Sequence, residues 1–349
     1  MDDEPEPRTR DWLPRTAALV IGTLALAAAF IAAYVGALHK PNPRDVPVAV
    51  VLGDQPAQAV MAAVRARTDT IKPVEYDSQG AAVTGLNRRE VYAVLRSAPG
   101  GGLTLATASA GAPAAAELVT QVFTGATQQA GVPLQVTDEV PVSAGDPRGL
   151  VPFYLAVGLV LGGYLASTAL GVSLGTSPRD LRGAGLRIAT LAVHAVLLGI
   201  IGAVLVGPVL DVFEHNVPAV AVIGALAAFA AGMVAAAVQG WLGLLGTGLV
   251  ILLLVVLGNP GSGGIYAPEF LPAFLRGMHR WNVPGLATDL IKSVVYFDWR
   301  GGPWPLVGLL LWALAGLVGL LTATAFRAHR RAVRGRARPA PAGAPRTDG

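Results

Sequence analysis

The chain is 349 residues long, 53% hydrophobic and 14% charged, where soluble domains carry about 25% charged residues. Its formal net charge is +4, and it contains no cysteine. The missing thiol excludes disulfides, thiolate metal sites and cysteine catalysis. The basic excess sits beside apolar runs, which points to membrane topology and not to nucleic acid.

Met1–Pro14 turns from acidic to basic and holds three prolines, so residues 1–15 read as a flexible tail. Thr16–Leu38 is then apolar for about the 20 residues that cross a bilayer. Arg8, Arg10 and Arg15 would suit the start of a signal peptide. The run exceeds the usual apolar core of about 7–15 residues, and Leu38-His39-Lys40-Pro41 offers no cleavage site, so a retained helix is the better reading. Lys40-Pro41-Asn42-Pro43-Arg44 ends it, because proline lacks the N–H a helix needs.

Residues 39–149 form an insert with alternating β and α patterns. Val46–Leu52 is a β-branched run typical of a buried strand. Pro56 opens a helix that reaches about Arg67, with Ala59, Val60, Ala63 and Val64 on one face. Ile71–Tyr76, Glu90–Arg96, Leu103–Ala108 and Val132–Val140 read as strands. Ser78–Arg88 and Pro113–Ala130 read as helices. The order β-α-β-α-β-β-α-β predicts a small α/β domain with a mixed sheet. Asp54, Asp69, Glu75, Asp77, Asp138 and Glu139 show no metal spacing, and no Ser/His/Asp set stands out. No catalytic residue, metal or cofactor is therefore expected, and the chain is not read as an enzyme.

Residues 150–326 contain five apolar runs: Val151–Leu174, Arg187–Leu210, Val217–Gln239, Trp241–Leu257 and Pro305–Phe326. Val217–Leu257 has no Asp, Glu, Lys, Arg or His at all. The fold expected is a membrane α-helical protein of about six transmembrane helices, with the α/β domain between the first and second. The turn at Gln239-Gly240 would be very tight, as in a membrane hairpin or a broken helix.

Placing the N-terminus in the cytoplasm puts the insert outside. It puts Thr176–Arg187 inside, acidic Asp211–His215 outside and Gly258–Gly302 outside. Arg327, Arg330, Arg331, Arg334, Arg336 and Arg338 then fall inside. Each short basic segment meets the positive-inside rule. The expected location is the cell membrane, multi-pass, with both termini cytoplasmic and residues 327–349 a basic disordered tail.

Four features bear on chemistry. Gly258–Gly264 looks like a phosphate-cradling loop but lacks the Gly-Lys-Ser/Thr ending, so its glycines read as turn formers. The stretch after it holds Ala267–Met278 and Pro284–Phe297, too short to span, among clustered aromatics. These read as re-entrant or interfacial helices, either a cap over a pathway or an anchoring belt. His194 is the sole ionisable group deep in an expected span. Without an intramembrane carboxylate, a bond to a backbone carbonyl or hydroxyl suits it better than proton coupling. Gly158, Gly162, Gly163, Gly171, Gly243, Gly246 and Gly248 read as helix-packing positions.

The run Gly258-Asn259-Pro260-Gly261-Ser262-Gly263-Gly264, followed by Pro268–Phe274, Val283-Pro284-Gly285 and Tyr296-Phe297, resembles the last outer loop of ABC-2-type membrane proteins. The likeness is closest to the YhgE/Pip-like, DUF3533-type branch. Phe153-Tyr154, Gly162-Gly163-Tyr164-Leu165 and Arg89–Ala93 fit that branch too. The resemblance implies a permease-like protein that works with a separate cytoplasmic ATPase subunit. Its outer gate would include Asn259, Pro260, Gly263, Gly264, Glu269, Pro272, Pro284, Tyr296 and Phe297. Its cytoplasmic coupling contact would include Arg179, Asp180, Arg182 and Arg187. The chain departs from such systems in having no nucleotide-binding domain and no amphipathic connecting helix before the first span. The function expected is export of a lipophilic or envelope-related substrate. The alternative is a non-transporting envelope scaffold or receptor whose insert binds a surface partner. Membrane lipids are expected partners, and a homodimer is left open.

Overall fold

The computed structural model describes residues 9–213 and 215–336. Arg338 and the rest of the expected disordered tail from residue 337 lie outside them, as do residues 1–8. Among the described residues, five helices are long and apolar enough to cross a membrane: Thr16–Leu38, Val151–Leu174, Leu181–Val209, Val217–Leu242 and Trp304–Arg331. They mark a multi-pass membrane protein.

Helix α1 spans Thr9–Leu38 and so starts before Pro14, inside the stretch expected to be a flexible tail. Pro14 falls near the start of the helix, where its missing N–H forfeits one helical bond.

The insert has the expected element order: β1 (Val46–Val51), α2 (Gln55–Arg65), β2 (Ile71–Tyr76), α3 (Gln79–Asn87), β3 (Ala93–Ser97), β4 (Leu103–Thr107), α4 (Pro113–Ala130) and β5 (Leu134–Asp138). The sheet runs β2-β1-β3-β4-β5. β1 is parallel to β2 and β3, β4 is antiparallel to β3, and β5 is parallel to β4. Alternation along β1 sends Val46, Val48 and Val50 to a core with Val60 and Met61 of α2 and Val119 and Phe123 of α4. Ala49 faces the opposite core, with Leu86 of α3 and Phe297 from far down the chain. Asp54 organises one sheet end. Its carboxylate accepts from Ala57 N–H at the start of α2 and from Ser97 N–H and Oγ at the end of β3.

Beyond the insert lie α5 (Val151–Leu174), α6 (Leu181–Val204, continued by a π turn to Val209), α7 (Val217–Leu242), α8 (Leu244–Ile251, continued by a π segment to Leu257), α9 (Ala273–His279), α10 (Val283–Tyr296) and α11 (Trp304–Arg336). α7 is the axis of the bundle, with two-thirds of its apolar window buried (67%). It carries no charge, and small residues let three neighbours approach it. A Cβ at Gly163 of α5 would overlap the Ala228 carbonyl, one at Gly199 of α6 the Ala221 carbonyl, and one at Gly316 of α11 the Met233 backbone.

Further boundaries differ from those read in the sequence: α6 begins at Leu181, ahead of the expected Arg187. α7 continues through Gln239-Gly240 and turns at Gly243, whose φ of 64° is open to glycine. The fifth run thereby loses Trp241 and Leu242, and its apolar helix Leu245–Leu257 is shorter than a full span. α11 continues past Phe326 to Arg336, so residues 327–336 are helical and not disordered. Arginine and alanine are strong helix formers, and Arg330 lies 4.6 Å over the Phe326 ring.

The connections sort to two ends of the bundle. At one end the insert meets the segments beside it. Ser143 Oγ donates to Val212 O (2.9 Å), and Asn216 Nδ2 donates to Val294 O (3.0 Å). At the other end Arg331 reaches Arg179 O and Arg327 reaches Trp241 O.

Candidate functional site

α10 carries the most informative geometry. Eleven of its fourteen residues are buried within the protein. Its apolar residues Leu286, Ala287, Leu290, Ile291 and Val294 join the bundle core. Its polar residues Asp289 and Lys292, one turn apart, face the α/β domain. Asn282 caps it, accepting from Gly285 N–H (2.6 Å) and donating to Gly261 O (2.9 Å).

Asp289 is the hub of a part-buried ion network. Arg89 donates from Nη2 to its Oδ1 (2.6 Å) and from Nη1 to its backbone carbonyl (3.0 Å). His279 Nε2 lies 3.0 Å from Oδ2. Burial pushes the Asp289 carboxyl up, but the charges of Arg89 and His279 outweigh it and hold the group well below the usual carboxylate range. Arg89 itself has φ of 62°, a strained turn that aims its side chain across the seam, where it also stands 5.9 Å from the Phe297 ring. This turn delays β3 to Ala93, although the sequence reads as strand from Glu90.

Two further ties close the seam. Lys292, 1% exposed, donates from Nζ to Gly111 O (3.0 Å). Burial and then the like charge of Arg89 pull its pKa down to about 8. Tyr92 Oη donates to Glu269 Oε2 (2.8 Å), and burial followed by the charge of Glu269 pushes this phenol well above its ordinary value. Asp146, also buried, accepts from the N–H groups of Leu150 (3.0 Å) and Val151 (2.9 Å) and so caps α5. Tyr296 Oη reaches the same carboxylate at 3.4 Å, and burial, then the charge of Asp146, pushes its pKa up to about 12.

A cleft of about 550 Å³ opens along this seam. Arg88, Arg276, His279 and Arg280 supply its basic lining, and Glu90, Glu269 and Asp289 its carboxylates. Gly263, with φ of 70°, leaves room for the His279 ring: a Cβ there would stand 2.7 Å from Cε1. His279 Nδ1, Arg89 Nε and Arg276 Nε are buried without a hydrogen-bond partner among the described residues.

The residues expected at an outer gate do converge on this end. Glu269, Gly263, Tyr296 and Phe297 take part in the seam itself, and Pro284 is buried at the start of α10. Gly264 packs against Phe153, where a Cβ would overlap the ring. Asn259 and Pro260 are buried at a 3-10 turn, and Pro272 precedes α9. The expected coupling residues divide. Arg179 and Arg182 are exposed, and Asp180 caps α6 through Gly183 N–H (2.8 Å). Arg187 points inward, 4% exposed, and donates to the carbonyls of Leu170, Gly175 and Thr176. It closes the C-terminal end of α5 and leaves no surface for a partner. His194 Nε2 lies 3.2 Å from Gly162 O, the backbone partner expected of it.

Sequence reading gave no site role to Asp289, Lys292, His279, Arg280, Tyr92 or Asp146. A signal was present for the first two: a lone acid and a lone base three residues apart in a helix otherwise fit for burial. No family model, curated protein or solved structure matches the chain.

Proposed function

We propose that the protein is an ABC-2-like permease component of the cell membrane, with both termini cytoplasmic and the α/β domain outside. It would export a lipophilic or envelope-related substrate along the helices of residues 150–326, driven by a separate cytoplasmic ATPase. The observation that carries the reading is α10. The last two apolar helices of the chain are joined by short helices folded onto one end of the bundle, where a permease of this type would place its outer loop. α10 is built into both the bundle and the α/β domain, so displacement of the helices would be transmitted directly to the outer domain. The segment Leu245–Leu257 completes a sixth crossing in this reading, helped by the turns at Pro260–Ser262. At the opposite end, exposed Arg179 and Arg182 form the surface offered to an ATPase.

Purification in mild detergent followed by mass spectrometry tests this. A stoichiometric ATPase, lost on charge reversal at Arg179 and Arg182, is the expected result. Recovery only of envelope proteins bound through the α/β domain would establish the scaffold reading instead.

A further inference from the structure

The basic cleft has an apolar neighbour. Leu286 lines both the cleft and a second, apolar groove of about 200 Å³ bounded by Trp281, Gly308, Leu311, Trp312 and Ala315 on the outside of the bundle. Arg280 lines the cleft and its chain neighbour Trp281 the groove. Trp304 Nε1 donates to Arg280 O (2.8 Å), and Trp312 Nε1 donates to Trp281 O (2.6 Å). The Trp281 and Trp304 rings meet edge to face at 5.0 Å. Indoles held this way suit the level where hydrocarbon gives way to headgroups.

The charges of the cleft are unevenly spent. Asp289 is taken by Arg89 and His279, Glu269 accepts from Tyr92, and Glu90 accepts from Tyr76 (3.1 Å). Arg88 and Arg280 are exposed and have no ion pair among the described residues. Arg276 donates from Nη2 to Glu269 O (3.1 Å) and reaches Asp45 at 3.8 Å, and its Nε is unpartnered among the described residues. Two guanidiniums and the Nε of a third therefore remain for an anion, in a cleft that shares Leu286 with the apolar groove. Arginine recognises phosphate through its planar fork of donors.

We propose that this cleft and groove form a binding site for an anionic membrane phospholipid. Its phosphate would lie against Arg88, Arg276 and Arg280, and an acyl chain would lie along Trp281, Leu311 and Ala315. The site does not depend on an ATPase partner, so its failure and that of the permease reading are separate results.

Native mass spectrometry of the full chain, released from mixed nanodiscs of phosphatidylglycerol and phosphatidylcholine, provides the test. The wild type should retain phosphatidylglycerol preferentially. Because each basic residue near an anionic surface adds its own increment, the Arg88→Glu/Arg280→Glu pair should cut that preference about tenfold or more. Both residues are exposed, so folding is spared. Ala315→Trp fills the exposed groove and should weaken retention of long-chain phosphatidylglycerol while leaving binding of soluble glycerol 3-phosphate unchanged. Equal retention of both lipids by the wild type, or undiminished preference in the double variant, would overturn the proposal. So would full displacement of the lipid by equimolar glycerol 3-phosphate, which would mark an anion site without a chain groove.

Discussion

Replacing Asp289 with alanine should loosen α10 from the α/β domain without unfolding the bundle. The substitution leaves Arg89, with its strained φ, facing a buried seam and no counter-charge. Removing one partner of a buried ion pair costs about 3–5 kcal/mol. The two side chains are still 17% and 19% exposed, so the low end applies. At 1.36 kcal/mol per decade, about 3 kcal/mol accelerates exchange that proceeds through this opening by about a hundredfold. Hydrogen exchange by mass spectrometry, on peptides covering residues 283–296 and 86–93, reads this directly. Arg89→Ala should act similarly, and the double variant should cost clearly less than the sum of the two. Arg300→Ala is the control: its pair with Asp298 is open to solvent and is worth little. The pH dependence has a defined sign. The Asp289 carboxyl titrates below its unfolded value of about 3.9, so its contribution is complete above about pH 4 and is lost as pH falls through the folded value. The thermal advantage of wild type over Asp289→Ala should therefore shrink only below about pH 4. Exchange in both single variants within threefold of wild type, or strict additivity in the double, would refute the account of the seam.

Lys292 gives a dependence of the same sign in a higher pH window: its folded pKa is about 8 against an ordinary 10.5, so between those values the unfolded chain binds the extra proton and stability rises with pH. Thermal unfolding should show a gain in wild type relative to Lys292→Met from about pH 8 to 10; parallel profiles would contradict it. Gly163→Ala should destabilise by about 1–3 kcal/mol through overpacking against Ala228, whereas Gly158→Ala, with open space around it, should not. Arg187→Ala should lower the melting temperature by the equivalent of about 2–3 kcal/mol, since its hydrogen bonds come from a charged donor, while Arg182→Ala should be near neutral. A cysteine introduced at Ser109 should be labelled from outside the cell; labelling only from the cytoplasmic side would reverse the proposed orientation.

Much of the architecture was legible because hydropathy and β/α patterning are local. Thr16–Leu38 and Val217–Leu242 declare themselves by unbroken apolar length, and the strand of Val46–Val51 by β-branching. The boundaries that moved did so for tertiary reasons. The turn shifted to Gly243 because Gln239 is held inside the bundle by Ser167, Thr168 and Thr247. A polar residue in an apolar run invites a break when its partners are unknown.

The candidate site was only half legible. Its loop residues drew notice as glycines, prolines and aromatics, which carry local turn and interface meaning. The charges that make it chemically distinctive did not, because Arg89 and Asp289 are two hundred positions apart and a charge shows its partner only when the chain has folded. Composition alone decided that this chain lies in a membrane, since exposing such long apolar stretches to water is prohibitively unfavourable. Tertiary structure decided that α10 is a buried bridge between the bundle and the α/β domain, that Arg187 turns inward, and that exposed arginines line a cleft sharing Leu286 with an apolar groove. Each of these depends on which distant groups share one low-dielectric space, and no local pattern encodes that.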